Sequence, residues 1–169
     1  MVSPYRGDYV SQEHEDGGGY AGHAGIDLAG PVGRPVYAPY DGVIEKAAWG
    51  AVTGRSGYGK VRNYNGEAQY FGHLRDLTGP GYGSKVKAGD VIGYSGNTGN
   101  SSGPHLHFEM WHPGANGEAG GDFNPRIRFN SEGVAVNSAT GQRGGDWDPE
   151  TVKALQRVLA TREVTGAQA

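Results

Sequence analysis

The segment densest in reactive side chains is Ser102-Gly103-Pro104-His105-Leu106-His107-Phe108-Glu109-Met110. Side chains alternate across a β-strand, so His105, His107 and Glu109 share one face while Leu106, Phe108 and Met110 point to the other. Two imidazoles side by side over an apolar backing are what a metal site looks like from one strand; the plainer alternative is a pair of histidines on a solvated face. A second cluster, Gly22-His23-Ala24-Gly25-Ile26-Asp27-Leu28, shifts the balance toward the metal. A His and an Asp four apart, with small residues between them, can be turned onto one centre while Ile26 and Leu28 anchor the opposite face. Ligands of the types His, Asp and His, with water as the fourth, suit one catalytic Zn²⁺ that keeps a position open. The chain has no cysteine, so imidazole and carboxylate are the only strong zinc ligands it can offer. A further histidine, His73, stands among apolar neighbours in Phe71-Gly72-His73-Leu74.

Short strands separated by glycine have to position these groups. There are 32 glycines in 169 residues and no collagen-like period, which reads as turns and close backbone approaches. Residues 32–49 form a pair of short strands around Tyr40-Asp41-Gly42, and residues 86–94 another pair around Ala88-Gly89-Asp90. Asn65-Gly66 joins strands near 60–64 and 67–73; in the second, Gln69, Phe71 and His73 share a face, with His73 at the rim. The loops 48–59 and 95–103 are expected to wall a groove, with Tyr58, Tyr82 and Tyr94 as substrate contacts or packing residues. Residues 1–19 read as an irregular arm, in which His14 is a solvated surface residue rather than a fourth ligand, and His112 is another surface residue. Residues 131–147 read as a linker. A helix then starts at Asp148-Pro149-Glu150, with an apolar stripe of Val152, Leu155, Val158 and Leu159 through the 148–169 segment.

Taken in order and separation, the HxGxD segment, the Gly72-His73-Leu74 histidine and the final HLHFE strand resemble the lysostaphin/LytM-type zinc endopeptidases. Those enzymes cut peptidoglycan cross-links. Further similar text includes Pro35–Ile44, like the family's first hairpin, and Lys85–Gly99, like the turn and glycine-rich loop before its catalytic strand. Phe123-Asn124-Pro125-Arg126 looks like its short closing segment, where the chain would leave the catalytic core. The resemblance covers about residues 20 to 126 and implies a mainly β fold, a compact antiparallel β-sheet domain over 20–130, with a short C-terminal helix. It implies His23, Asp27 and His107 as zinc ligands. His105 would be the general base, and His73 would either orient that base or hydrogen-bond the developing oxyanion. Glu109 is either the acceptor for a ligand's free ring nitrogen or a surface carboxylate. Family members often carry a tyrosine or arginine before the first ligand; Tyr20, only three residues ahead of His23, is close for that role. Trp147 and the run from Thr151 resemble the opening helix of small peptidoglycan-binding domains; the alternative is a helix packing back on the catalytic domain.

Composition limits the partners. A net charge of -3 with scattered basic residues offers no electrostatic footprint for nucleic acid or an anionic membrane. No apolar run approaches the roughly 20 residues of a membrane span, so no membrane insertion is expected, and the opening residues lack a secretory signal. The expected partner is the peptide stems or cross-bridges of peptidoglycan, met by a monomer. It would act on the bacterial cell wall after phage lysis or virion delivery, as a bacteriolytic endolysin does, or as a chain whose signal has been removed. Two other functions compete. A degenerate wall-binding homologue would lack one of the five metal or catalytic positions, and all five are present. A lipoyl- or biotin-carrier domain would need a lysine at a hairpin tip and has no use for convergent histidines.

Overall fold

The computed structural model describes residues 1–48, 57–77, 81–115 and 119–134. The linker from residue 135, the helix expected after Asp148 and most of the 48–59 loop lie outside the described residues. Among the described residues the regular structure is mainly antiparallel β-strand, the mainly β fold that the resemblance implies. It runs β1 (Tyr9–Gln12), β2 (Ile26–Ala29), β3 (Pro35–Tyr37), β4 (Gly42–Ala48), β5 (Gly57–Asn63) and β6 (Ala68–Leu74). There follow β7 (Asp76–Leu77), β8 (Lys85–Val86), β9 (Val91–Tyr94), β10 (His105–Pro113), β11 (Ala119–Phe123) and the helix α1 (Pro125–Ser131).

The larger sheet has the order β1-β2-β10-β6-β5-β4-β8, with β11 paired to β10; the smaller is β3-β9-β7. Strand β10 lies between β2 and β6. Its alternation is as predicted: Leu106, Phe108 and Met110 are fully buried, while His105, His107 and Glu109 face the other way. The buried face meets Ile26, Leu28 and Phe71, and the Phe108 ring stacks on Phe129 of α1 at 6.0 Å between centroids. Each such ring contributes on the order of 2–3 kcal/mol by leaving water. The hairpin at Asn65-Gly66 also forms, with β5 and β6 in register and the Asn63 amide donating to the Glu67 carbonyl at 2.8 Å.

Three expectations need correction. The strand pairs expected around Tyr40-Asp41-Gly42 and Ala88-Gly89-Asp90 are strands, but not hairpins. In each, one strand enters the large sheet (β4, β8) and its neighbour the small one (β3, β9), so the turn is a corner between sheets. Local turn chemistry signals a reversal but cannot say which partner each strand will find. Residues 1–19 are not an irregular arm throughout. β1 pairs with β2 and buries Val10, and Tyr5 is buried in the core with its hydroxyl on Ser95 Oγ at 3.1 Å. Nor does the chain leave the core at Phe123–Arg126. Asn124 caps α1, accepting from the Arg126 amide at 2.9 Å, Pro125 occupies the first turn, and Phe129 is fully buried.

Candidate metal centre and active site

The site lies on the outward face of β10 and is built by register. His107 is the direct partner of Asp27 on β2 and of Gly72 on β6, so the three sit in one row across the sheet. Gly72 leaves the space beside the His107 ring open. Gly25 in the HxGxD segment has a different reason: a Cβ there would lie 2.4 Å from the Phe108 carbonyl oxygen and 3.0 Å from His107 Cε1. Only glycine lets the turn that carries His23 pass this close to β10.

His23 Nε2 lies 3.3 Å from Asp27 Oδ1, and His107 Nδ1 lies 2.8 Å from the same oxygen. One donor atom each from His23, Asp27 and His107 falls within 4.8 Å of the others, a spacing that one divalent ion can bridge. His23 is only 3% exposed, and its buried Nε2 has no hydrogen-bond partner among the described residues. A buried imidazole nitrogen left without a partner is costly unless something else uses its lone pair.

The opposite nitrogens explain why these lone pairs converge. His23 Nδ1 donates to the Glu13 carbonyl at 2.6 Å, His105 Nδ1 to the Gly103 carbonyl at 2.8 Å, and His73 Nδ1 to the Thr98 carbonyl at 2.6 Å. His107 Nε2 donates to Glu109 Oε2 at 2.7 Å, and Glu109 is steadied by Trp111 Nε1 on its other oxygen, also at 2.7 Å. A carbonyl can only accept, so His23, His105 and His73 are each held as the tautomer whose Nε2 is left for a metal or a proton. His107 differs, because its Nδ1 also meets a carboxylate, Asp27 Oδ1 at 2.8 Å, and without a metal the ring carries a hydrogen on both nitrogens.

Charge follows geometry. Burial opposes protonation of His107, but hydrogen bonds to Asp27 and Glu109 outweigh it and push the imidazole up to about 9. Burial would raise Asp27, yet the His107 hydrogen bond and the fields of the three nearby imidazoles together hold the carboxyl below its usual value. Glu109 is likewise below its usual value: burial works upward, and the bonds from His107 and Trp111 prevail. His73 is pushed down, chiefly by burial and further by His105 and His107, so it is neutral at neutral pH.

His73 reaches the site by an unexpected route. Alternation puts it on the face of Gln69 and Phe71, and that face is the buried core. Between Gly57↔Leu74 and Gly59↔Phe71, β6 carries one more residue than β5, a bulge, and His73 adopts φ 61°. The extra residue and the left-handed backbone turn the ring back to the groove, 4.6 Å from His105 between centroids. Tyr20 also arrives: its ring lies 4.7 Å from that of His23, and it lines the groove while 61% exposed.

The groove measures about 600 Å³ and includes Tyr9, Gln12, Asn100, Ser101 and Ser102 along with the histidines. The 95–103 loop is therefore a wall, as expected. Tyr9 and Gln12 of β1 join the lining because β1 pairs with β2, with a register shift between Val10 and Gln12. Tyr82 is solvent-exposed, and Tyr94 lies against the Arg75 guanidinium at 5.3 Å. His112 is exposed, with its ring stacked on Phe123. His14 is a correction. It is 1% exposed rather than solvated, because its Nδ1 accepts from the Asp16 amide and its Nε2 meets Asp122 Oδ2 at 2.7 Å.

The family model of peptidase family M23 matches residues 21–124, a span that includes His23, Asp27, His73, His105 and His107. The chain belongs to peptidase family M23. Among its M23 relatives, a glycyl-glycine endopeptidase, ALE-1 of Staphylococcus capitis, is 34% identical over 122 residues, 72% of this chain and 33% of that protein. The peptidoglycan DD-endopeptidase ShyC of Vibrio cholerae is 40% identical over 89 residues, 52% of this chain and 20% of ShyC. The solved structure of the antimicrobial peptidase lysostaphin from Staphylococcus simulans superposes with a TM-score of 0.63 at 27% identity, covering 80% of this chain and 56% of that one. This chain thus spans about a third or less of the length of these two curated relatives.

Proposed function

We propose that this M23 chain is a zinc-dependent endopeptidase that hydrolyses peptide linkages of bacterial peptidoglycan. The observation that carries the reading is the buried, partnerless Nε2 of His23 aimed at the oxygen of Asp27 that His107 also faces. His23, Asp27 and His107 would hold the ion through Nε2, a carboxylate oxygen and Nδ1. When bound, zinc supplies Lewis acidity for the scissile carbonyl and lowers the pKa of water.

The remaining groups handle the proton. His105 Nε2, 3.7 Å from Asp27 Oδ1, carries the lone pair left by the Nδ1 bond to Gly103. It takes the proton from the attacking water as the C–O bond forms, then returns it to the leaving nitrogen as the C–N bond breaks. His73, neutral and anchored through Nδ1, presents only an acceptor, so it can share that proton but cannot donate to an oxyanion until it has one. Tyr20, which also lines the groove, carries a phenol O–H and is a second candidate donor to the oxyanion. Glu109 holds His107 in the tautomer that leaves Nδ1 for the metal.

The relatives' names support peptide cross-links of the wall as substrate. Mass spectrometry of released fragments distinguishes a glycyl-glycine bond from a D,D bond. The reading itself is tested by chelation and zinc re-addition with cell-wall turbidity as readout: clearing should stop and resume. His107→Ala and Asp27→Ala should lose stoichiometric zinc, whereas His105→Ala should keep it and lose hydrolysis. Unchanged clearing in chelator would overturn the proposal.

A further inference from the structure

The free nitrogen of His23 is set by one backbone atom, the Glu13 carbonyl, and that carbonyl is not part of a regular strand. It belongs to the short segment after β1 that folds back through a 3-10 turn at Glu15–Gly17. The fold-back is tight. The Gly19 amide donates to the His14 carbonyl at 2.9 Å, and a Cβ on Gly19 would sit 1.8 Å from the Glu13 oxygen. The Glu15 amide closes the loop on the His23 carbonyl at 3.0 Å. A six-residue turn of this kind has no core of its own, so something else must hold it.

Two contacts from β11 and α1 do so. Arg126 of α1 grips the Glu13 carboxylate with both arms, Nε to Oε1 at 3.0 Å and Nη2 to Oε2 at 2.7 Å. His14, the next residue, is buried. Its Nδ1 accepts from the Asp16 amide, which obliges Nε2 to carry the hydrogen it gives to Asp122 Oδ2 of β11. The paired residues are 113 and 108 positions apart in sequence. A forked charge-assisted pair fixes orientation as well as distance, and a buried, fully partnered histidine fixes the peptide beside it.

We propose that Glu13, His14, Asp122 and Arg126 form a positioning clamp for the first metal ligand, setting zinc affinity through the Glu13 carbonyl. None of the four is one of the three donor groups or lines the groove. Glu13, His14 and Arg126 also lie beyond the two ends of the M23 match. The inference rests on the proposed metal centre. It differs from that reading because it predicts an effect of residues that touch no donor atom.

Zinc affinity, measured by competition with a chromophoric chelator on the full chain, separates the two. One-site binding by the wild type is the baseline, and its absence would overturn the metal reading and the clamp together. Arg126→Ala should weaken zinc about 10- to 100-fold, the range for groups that orient a ligand from behind. Arg126→Lys should recover part of that loss. Asp122→Asn, which keeps an acceptor for His14 Nε2, should lose less than Asp122→Ala. The control is Arg128→Ala. Arg128 makes the same two-armed bridge from the same helix, to Glu67 at 2.8 and 2.6 Å, but on a carboxylate that bonds none of the site residues. If the clamp acts only as general structural support, Arg128→Ala and Arg126→Ala will weaken zinc alike, and the proposal falls. Wild-type affinity in folded Arg126→Ala overturns it too. Should that variant fail to fold, Arg126→Lys and Asp122→Asn decide by the same comparison.

Discussion

Strands β10 and β6 lie side by side and send histidines into the same groove, two from β10 and one from β6, but by opposite means. β10 does it by period alone: from His105 to Glu109 every second side chain faces the groove side, and Leu106, Phe108 and Met110 between and beyond them are buried. β6 follows the same rule as far as Phe71 and then breaks it. Its bulge and the positive φ of His73 return to the groove a ring that alternation would have buried. Regular pairing delivers ligands that must lie at fixed separations, whereas a locally strained residue places one that must approach from the side. The strain is held by neighbours: the Thr98 carbonyl on His73 Nδ1 and the Thr98 hydroxyl on the Leu74 carbonyl at 2.9 Å.

The contrast can be broken most severely at β10. His105→Ala should lower kcat about 10²- to 10⁴-fold with zinc retained and little change in melting temperature, since this face is not core. Its neighbour on the other face should behave in reverse: Phe108→Ala should destabilise the fold by about 3–5 kcal/mol in denaturant titration. A sharper test uses the sign of a smaller effect. At His73, glycine should be more stable than alanine by about 1–2 kcal/mol, because only alanine keeps a Cβ in the left-handed region. At His105, in regular strand, alanine should be more stable than glycine by about 0.5–1 kcal/mol. Equal ordering at both positions would remove the distinction drawn here.

The gentlest perturbation is pH. In metal-free protein the His107 imidazolium is held between Asp27 and Glu109, so its folded value of about 9 lies above the unfolded one near 6.5. A raised folded pKa contributes stability that is fully present below about 6.5 and is lost as pH rises through about 9. The melting temperature of the chelated protein should therefore decline across that window, and His107→Gln should flatten the decline. Zinc binding must displace the same proton from Nδ1, so affinity should rise by up to tenfold per pH unit toward about 9. A pH-independent affinity between 7 and 9 would show that the proton is not where the hydrogen bonds put it.

Much of this protein could be read from residue order. The two faces of β10, the hairpin at Asn65-Gly66, the anchoring of Asp27 by Ile26 and Leu28, and the donor set His, Asp and His are local statements. Strand period and turn preference act over a few residues, and ligand chemistry depends on residue type alone. Tertiary structure decided what depends on distant partners. It sent β3 and β9 to one sheet and β4 and β8 to another, because a turn signals reversal while pairing is settled by which edges can be buried together. It drew Tyr9–Gln12 into the large sheet and converted His14 from a solvated candidate into a buried one, by supplying Asp122 from β11. It also chose which nitrogen of His23, His73 and His105 is free, since those choices are made by the carbonyls of Glu13, Thr98 and Gly103, and it set His107 between the carboxylates of Asp27 and Glu109. A hydrogen-bond acceptor fixes a tautomer only when folding has carried it to the ring, and spacing along a chain holds no record of that arrival.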